Sequence, residues 1–377
     1  MTLSLHSIRV LDLSRVLAGP LCSMMLGDLG ARVIKVERPP AGDETRGWGP
    51  PFDADGRSAY FLAINRNKLS IALDLDAAGD VGVIRSLIES ADVVVENFRA
   101  GALERREIRP LEFLARHPRL VWCTISGFGP GSERPGYDFV AQAESGWMSI
   151  TGDPAGEPQK TGVALADVIA GKDAAIAILG ALVAREVTPG GLAPRARRLE
   201  ISLLHSAVAA LVNVAQNVVV SGDEAHRWGN AHPNLVPYQL FRAADRPVVI
   251  AVGSDAQWRA LCEALGLETL AGDAALAANA GRLAHRARVV GSIAARVVER
   301  PAEYWLGVLS AAGVPCGVVA SVREALRRIP VSAVTGVAPP VPGSARLAPP
   351  GLDEHGAVIR AHGWDAFAHV ASVSSER

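Results

Sequence analysis

Short apolar runs, each followed by a stretch long enough for one crossover helix, constrain this chain more than any other feature. Ile8–Leu13 reads as a buried strand. Gly19-Pro20 opens a helix that runs through Leu29, and Gly30 stops it. Ala31–Val36 is a second strand, so the chain begins β-α-β. Pro39–Gly56, rich in Gly, Pro and Asp, is a long loop. Leu69–Leu75 alternates apolar and polar residues and is a third strand. Ala77–Ser90 is helical, Asp92–Glu96 a strand, Leu111–Arg116 a short helix and Leu120–Ser126 a further strand. Strands alternating with helices predict an α/β fold with a mostly parallel sheet covered on both faces. A dinucleotide fingerprint is missing, since Ser14-Arg-Val-Leu-Ala-Gly-Pro20 stands where G-x-G-x-x-G would. Gly127-Phe-Gly-Pro-Gly131 is broken by Pro130 and reads as a turn. A nicotinamide or flavin role is therefore not expected.

The second half changes character. Thr188–Arg198 is a polar turn, and Ile201–Val220 reads as one long helix. That stretch is apolar enough to raise a transmembrane question, but His205, Asn213, Gln216 and Asn217 favour a buried core or interface helix. Ser221–Pro237 is hinge-like. Pro247–Val252 is a new strand, and Ser254–Leu265 a helix capped by Ser254 or Asp255. A second β/α unit thus runs from near residue 225 to Ala325. Val331–Pro350 is a linker, and Leu352–Phe367, too short to be a domain, is expected to return to the first one. With 377 residues, of which 49% are hydrophobic, one large and one smaller domain are expected. A net charge of −1 provides no global attraction to nucleic acid or to an anionic membrane. Cys22, Cys123, Cys262 and Cys316 are far apart, so neither a zinc site nor a disulfide framework is indicated, and each reads as a buried small hydrophobe. The start, MTLSLHSIRVLDLS, has no basic segment followed by an apolar run. The expectation is a cytoplasmic protein.

Chemistry concentrates in Thr161-Gly-Val-Ala-Leu-Ala-Asp-Val-Ile-Ala-Gly171, which places the lone carboxylate of Asp167 among small and apolar residues, with a helical pattern from Lys172 to Arg185 behind it. Asp167 reads equally as a helix N-cap or as a covalent nucleophile. Cations gather around the early strands: Lys35 and Arg38, Arg66 and Lys68, Arg99 and Arg105. Residues after parallel strands lie at the carboxyl edge, where ligands bind. Asn97-Phe98 sits at that edge too, an amide beside an aromatic ring.

These stretches resemble the class III CoA-transferases, the family of formyl-CoA transferase and the 2-methylacyl-CoA racemases. The resemblance is carried by LDLSRVLAGPLCSMMLGDLGARVIKVERP (11–39), YFLAINRNKLSIALDL (60–75), ADVVVENF (91–98), GYDFVAQAESGWMSITG (136–152) and GVALADVIAGKDAAIAILGAL (162–182). Weaker matches follow at 229–241, 251–258, 312–319 and 347–355.

The resemblance implies a nucleophilic Asp167 and CoA contacts at Val16, Ala18, Arg38, Leu73, Leu75, Asn97, Phe98 and Arg105. Tyr137 and Asp138 would shape the acyl pocket. It implies a Rossmann-like CoA-binding domain over 1–200, completed by 340–377, a linker helix over 201–224, a small domain over 225–325 and a return linker over 326–339. It further implies an interlocked homodimer with sites at the subunit boundary, and CoA as the co-substrate without metal, NAD or flavin. The reaction would move CoA from an acyl-CoA to a free carboxylic acid through an aspartyl anhydride. An Asp is ionised at neutral pH at its reference pKa of about 3.9, so no partner base is called for. A racemase would need a His where this chain has Tyr137, which disfavours that rival. A CoA-binding subunit without turnover is the other. Leu17 replaces the Gln of formyl-CoA transferase, that enzyme's run of lid glycines is missing, and Gly229–Pro237 looks more like transferases for dicarboxylic acyl groups. Formate and oxalate are thereby disfavoured. His232 reads as structural.

Overall fold

The structure, a computed structural model, describes residues 3–374, with side chains up to Val370. In chain order its first strands and helices are β1 (Arg9–Asp12), α1 (Ala18–Asp28), β2 (Arg32–Glu37), α2 (Ala59–Ile64), β3 (Lys68–Ala72), α3 (Ala78–Glu89), β4 (Val93–Glu96), α4 (Pro110–Arg116) and β5 (Val121–Ser126). Then come α5 (Asp138–Glu144), α6 (Trp147–Ile150), α7 (Leu165–Val187), β6 (Arg198–Ser202), α8 (Leu203–Ala209) and α9 (Asn213–Ser221). The remainder comprises β7 (Tyr238–Arg242), β8 (Pro247–Ala251), α10 (Asp255–Leu265), α11 (Glu268–Ala271), α12 (Asn279–Ala284), α13 (Arg286–Val297), α14 (Ala302–Ala311), β9 (Cys316–Val318) and α15 (Val322–Leu326). A small hairpin, β10 (Val331–Ser332) and β11 (Gly336–Val337), precedes α16 (Gly356–His362) and α17 (Ala366–Ser374).

The chain divides into two compact units, one formed by residues up to Met148, Lys160–Asp223 and those from Ile329 on, the other by Ser149–Gln159 and Glu224–Arg328. The first holds a six-stranded sheet in the order β3-β2-β1-β4-β5-β6, with every pair parallel. Its central strands β1 and β4 are buried on both faces, which is why they read as continuous apolar runs. On one face α1 and α7 pack over Val10, Val33, Val93, Val121 and Cys123. On the other, α3, α4 and the returning C-terminal segment cover Leu11, Ile34, Val94 and Trp122, the last segment contributing Ile359, Trp364 and Ala366. The second unit is a three-stranded antiparallel sheet, β7-β8-β9, with helices around Trp258 and Trp305. In it Ser254 caps α10 by accepting from the Gln257 N–H.

Several readings of the sequence change here. Ile201–Val220 is not one helix: Ile201 and Ser202 end the edge strand β6, and α8 and α9 are bent by 72° across a short break. Val212, in that break, has φ 44°, which no helix continues. Among the described residues no single helix is long and apolar enough to cross a membrane; the bent pair passes by length and composition only. Cys316 is half-buried, unlike the other three cysteines. Lys35, Arg66 and Lys68 are not ligand cations, because each is buried on a carboxylate. Lys68 Nζ donates to Asp12 Oδ2 (2.9 Å), the Pro20 carbonyl (2.8 Å) and Asn65 Oδ1 (2.8 Å), which uses all three of its donors. Burial pulls its pKa down to about 8 despite Asp12. Lys35 pairs with Asp43 (2.9 Å) and donates to the Ser14 carbonyl (2.9 Å). Arg66 forks onto Asp28 (2.8 and 2.6 Å) and holds the Thr335 and Val337 carbonyls of the small hairpin.

Candidate active site

The strand order reverses between β1 and β4, and such a reversal opens a crevice at the carboxyl ends of the strands. The loop leaving β1 forms its floor, and four side chains hold that loop. Asp12 accepts from the Ser14 N–H (2.9 Å). Lys35 takes the Ser14 carbonyl. The Asn97 amide accepts the Arg15 N–H (3.0 Å) and donates to the Arg15 carbonyl (2.7 Å). The Asp43 carboxylate accepts the Val16 N–H (3.3 Å). Val16 sits at φ 69°, a left-handed conformation that costs a β-branched residue about 1–3 kcal/mol and persists only when its surroundings impose it.

α7 reaches this loop because its inner stripe is small. Ala166, Ala170 and Ala174 are fully buried. At Gly171 a Cβ would lie 2.6 Å from the Ala18 carbonyl oxygen, so only glycine permits this closeness. One turn earlier, the same approach sets Asp167 beside Val16–Ala18. The helix begins at Leu165 rather than near Lys172, which puts Asp167 in its first turn and not at the N-cap. The N-cap is Ala164, which has no side chain to cap with. Asp138 of α5 substitutes for it, accepting the Ala166 N–H (2.8 Å) and the Asp167 N–H (3.3 Å). Burial first, and the Asp138 charge second, push the Asp167 carboxyl up to about 7. It is therefore not ionised as freely as its reference value implies.

Two cavities meet at the crevice. The first, about 250 Å³, is lined by Val16, Ala18, Asn97, Phe98, Tyr137 and Asp167. The second, about 380 Å³, is lined by Arg38, Leu73, Leu75, Phe98 and Arg105. Arg15, Phe98 and Arg99 border both, so the two are neighbours. Of the nucleophile, CoA-contact and acyl-pocket residues that the resemblance implies, only Asp138 lies outside these walls: its Oδ1 is taken by α7 and its Oδ2 by Gln142 Nε2 (2.7 Å). Asn97 lines the wall, and its amide also holds the Arg15 backbone from both sides. Leu73 lies just beyond the end of β3, not within a strand shared with Leu75, yet both reach the second cavity. Arg38, Arg99 and Arg105 make no ion pair with a described residue, whereas Arg106 is held by Asp76 (2.6 Å).

Sequence reasoning missed three contributors. Arg15 follows the first strand and could have been found by the same edge rule that found Arg38. The Gly127–Pro135 loop walls the first cavity, its neck closed where Gly127 and Gly136 leave each other no room for a Cβ (2.6 and 2.5 Å). Tyr60 had no local signal. Its phenol is pushed up to about 12 by burial and then by Asp167, Asp138 and Asp43, which places it in the electrostatic neighbourhood of the site.

The family model described as CoA-transferase family III matches residues 5–343. The succinyl-CoA:glutarate CoA-transferase of Mus musculus is 41% identical over 323 residues, covering 85% of this chain and 73% of that protein. The acetyl-CoA:oxalate CoA-transferase of Acetobacter aceti is 38% identical over 320 residues, covering 84% and 80%. The crystal structure of a CAIB/BAIF family protein from Brucella suis superposes with a TM-score of 0.82 at 37% identity, covering 96% of this chain and 99% of that one. With the family model spanning nearly all of it and relatives this similar, the chain belongs to CoA-transferase family III.

Proposed function

We propose that this CoA-transferase works through covalent catalysis at Asp167. The ionised carboxylate attacks the thioester carbonyl of a bound acyl-CoA. The C–S bond breaks, CoA thiolate leaves, and a mixed acyl-aspartyl anhydride forms. The thiolate then attacks the aspartyl carbonyl, expelling the first carboxylic acid as its anion and leaving an aspartyl-CoA thioester. An acceptor carboxylate attacks that thioester to form a second anhydride and frees the thiolate again. Attack of the thiolate on the acceptor's acyl carbon yields the new acyl-CoA and restores Asp167. Activation is conserved throughout, which a serine ester would not allow.

The observation that carries this reading is a buried carboxylate on the wall of the first cavity, which shares Phe98 with the second. CoA brings several phosphate charges, and Arg38, Arg99 and Arg105 offer guanidinium groups with no protein carboxylate already on them. Phe98, shared by both cavities, would lie along the pantetheine, with Leu73 and Leu75 as the apolar wall. The strand order supports a Rossmann-like CoA-binding domain. Exposed Val212, Val219 and Val220, together with Ile176, Val183 and Val187 of α7, support a homodimer that covers them. No histidine lines either cavity, which weighs against a racemase built on His and Asp. Dicarboxylic acids are the acceptors to test first, glutarate ahead of the others because a relative carries that name; the oxalate transferase among the relatives returns oxalate, which the sequence disfavoured, to the panel.

The test is mass spectrometry after incubation with succinyl-CoA and hydroxylamine. Modification confined to Asp167, together with a loss of exchange of about 10³-fold or more in Asp167→Asn, is the expected result. Full exchange in that variant overturns the mechanism.

A further inference from the structure

We propose that Asp138 is the positioning residue of the nucleophile: from α5 it supplies the N-terminal cap that α7 lacks and holds a second negative charge beside the Asp167 carboxylate. The proposal rests on Asp167 being the nucleophile, and it concerns what holds that group.

The geometry is a chain of contacts. α7 is 23 residues long, so its N-terminus presents several free amides and the positive end of a sizeable dipole. Ala164 cannot accept from them. Asp138 Oδ1 takes two of them, those of Ala166 (2.8 Å) and Asp167 itself (3.3 Å). Its other oxygen accepts from Gln142 Nε2 (2.7 Å). Gln142 is fully buried, and its Oε1 accepts the Thr161 N–H (2.9 Å), while Thr161 Oγ1 donates to the Val163 carbonyl (2.8 Å). The whole approach to the nucleophile, Thr161 to Asp167, is thus fastened by two side chains one turn apart on α5. A shift of even about 1 Å in a reacting group can cost 10²-fold in rate, and this fastening is what opposes such a shift.

The same contacts set the electrostatics. The helix dipole would favour an Asp167 anion in the first turn, but Asp138 occupies the amides that express it. Two carboxylates this close disfavour each other's ionised forms, and burial and Asp138 are the causes that raise the Asp167 carboxyl. Arg15, Glu96, Arg99, Glu104 and Arg134 line the same cavity, but the causes that raise it are burial and Asp138. Tyr60 of α2 stays neutral, its phenol pushed up by burial and then by the same carboxylates. α1 and β5 bring Cys22 and Cys123, thiols that burial keeps protonated. α8 carries His205, and β6 carries Arg198 and Glu200 on the wall of the first cavity. On α7 itself, Asp173 is taken by the Ser206 hydroxyl (2.6 Å). Asp138 is the neighbouring charge that dominates. A carboxylate held less acidic than usual is a stronger nucleophile once ionised, which is the use of paying desolvation here.

Two variants separate the roles. Asp138→Asn keeps an acceptor oxygen for the Ala166 N–H and removes the charge; Asp138→Ala removes both. Carboxyl ¹³C NMR of the ligand-free protein, with the Asp167 signal assigned by its loss in Asp167→Asn, reads ionisation without any reaction. In Asp138→Asn the Asp167 midpoint is expected to fall by about one pH unit or more, and the acid limb of kcat/KM to fall with it. In Asp138→Ala, kcat is expected to drop by about 10-fold or more with KM for acyl-CoA unchanged. An unchanged midpoint in Asp138→Asn overturns the proposal. So does a changed KM with no movement of the pH profile, which is the behaviour of a mere pocket wall. Exchange persisting in Asp167→Asn would instead remove the nucleophile reading while leaving the titration result standing.

Discussion

In the proposed mechanism Asp167 reacts only as an anion, and its surroundings make that anion expensive. Its carboxyl ionises near about 7 when folded, pushed there by burial and Asp138, and near about 3.9 when the chain is unfolded. Between those values the folded protein binds more protons than the unfolded one, so stability falls as pH rises from about 4 to about 7 and stays lower above. Asp167→Asn removes this penalty. Differential scanning fluorimetry should therefore show a higher melting temperature for the variant at pH 8 and no difference at pH 4; equal curves at both would mean the acid is not strained. For the native enzyme, kcat/KM should climb with pH to a plateau above about 7. Asp167 stood out in the sequence because a lone acid among small residues is conspicuous, though its residue context alone left a helix cap equally open. Its ionisation was not legible, because the causes are burial first and then Asp138, 29 positions away in the chain. Asn97 was also singled out, but the bond its amide makes to a backbone 82 positions away was not legible.

Among elements, the contact between α1 and α7 decides whether there is a site. Glycine at 171 is the only residue that lets the Ala18 carbonyl in, with 2.6 Å to a would-be Cβ. Gly171→Val should push α7 outward, cost about 1–3 kcal/mol, and cut exchange far more than stability. Urea melts and steady-state kinetics check it; full activity would show that the helix can retreat without moving Asp167. The periodicity of α7 was readable from its Ala, Ile and Leu spacing, though the true start lies seven residues before Lys172. β6 was not readable. Its five residues, Arg198–Ser202, lack a strong strand pattern and become a strand by pairing with β5, Cys123 opposite Leu199. The apolar run that follows then concealed the turn at Val212, because periodicity does not register a single backbone reversal.

At the scale of the molecule, the chain leaves its first unit and must be received on its return. The Asn65-Arg-Asn67 turn is the receiver. Asn67 donates to the Ser344 carbonyl (2.8 Å) and accepts from the Arg346 (2.6 Å) and Leu347 (2.9 Å) N–H groups. Arg66 links buried Asp28 to the hairpin before it. Arg66→Met would leave Asp28 buried with Asn67 as its only remaining side-chain partner, and should cost about 3–5 kcal/mol. Limited proteolysis should then cut first between residues 329 and 350. Uncut protein of native stability would show that the return does not depend on this pair.

The strand–helix alternation and the parallel sheet are determined by local periodicity and residue type, which the sequence displays directly, and the sequence also displays the lone acid at position 167. Only the tertiary structure decided which cations are free for a ligand, Arg38, Arg99 and Arg105 rather than Lys35, Arg66 and Lys68, and which carboxylate tunes Asp167. The physical reason is that charge is settled by partners and burial. Those arise where distant segments meet, and one-dimensional spacing does not record them.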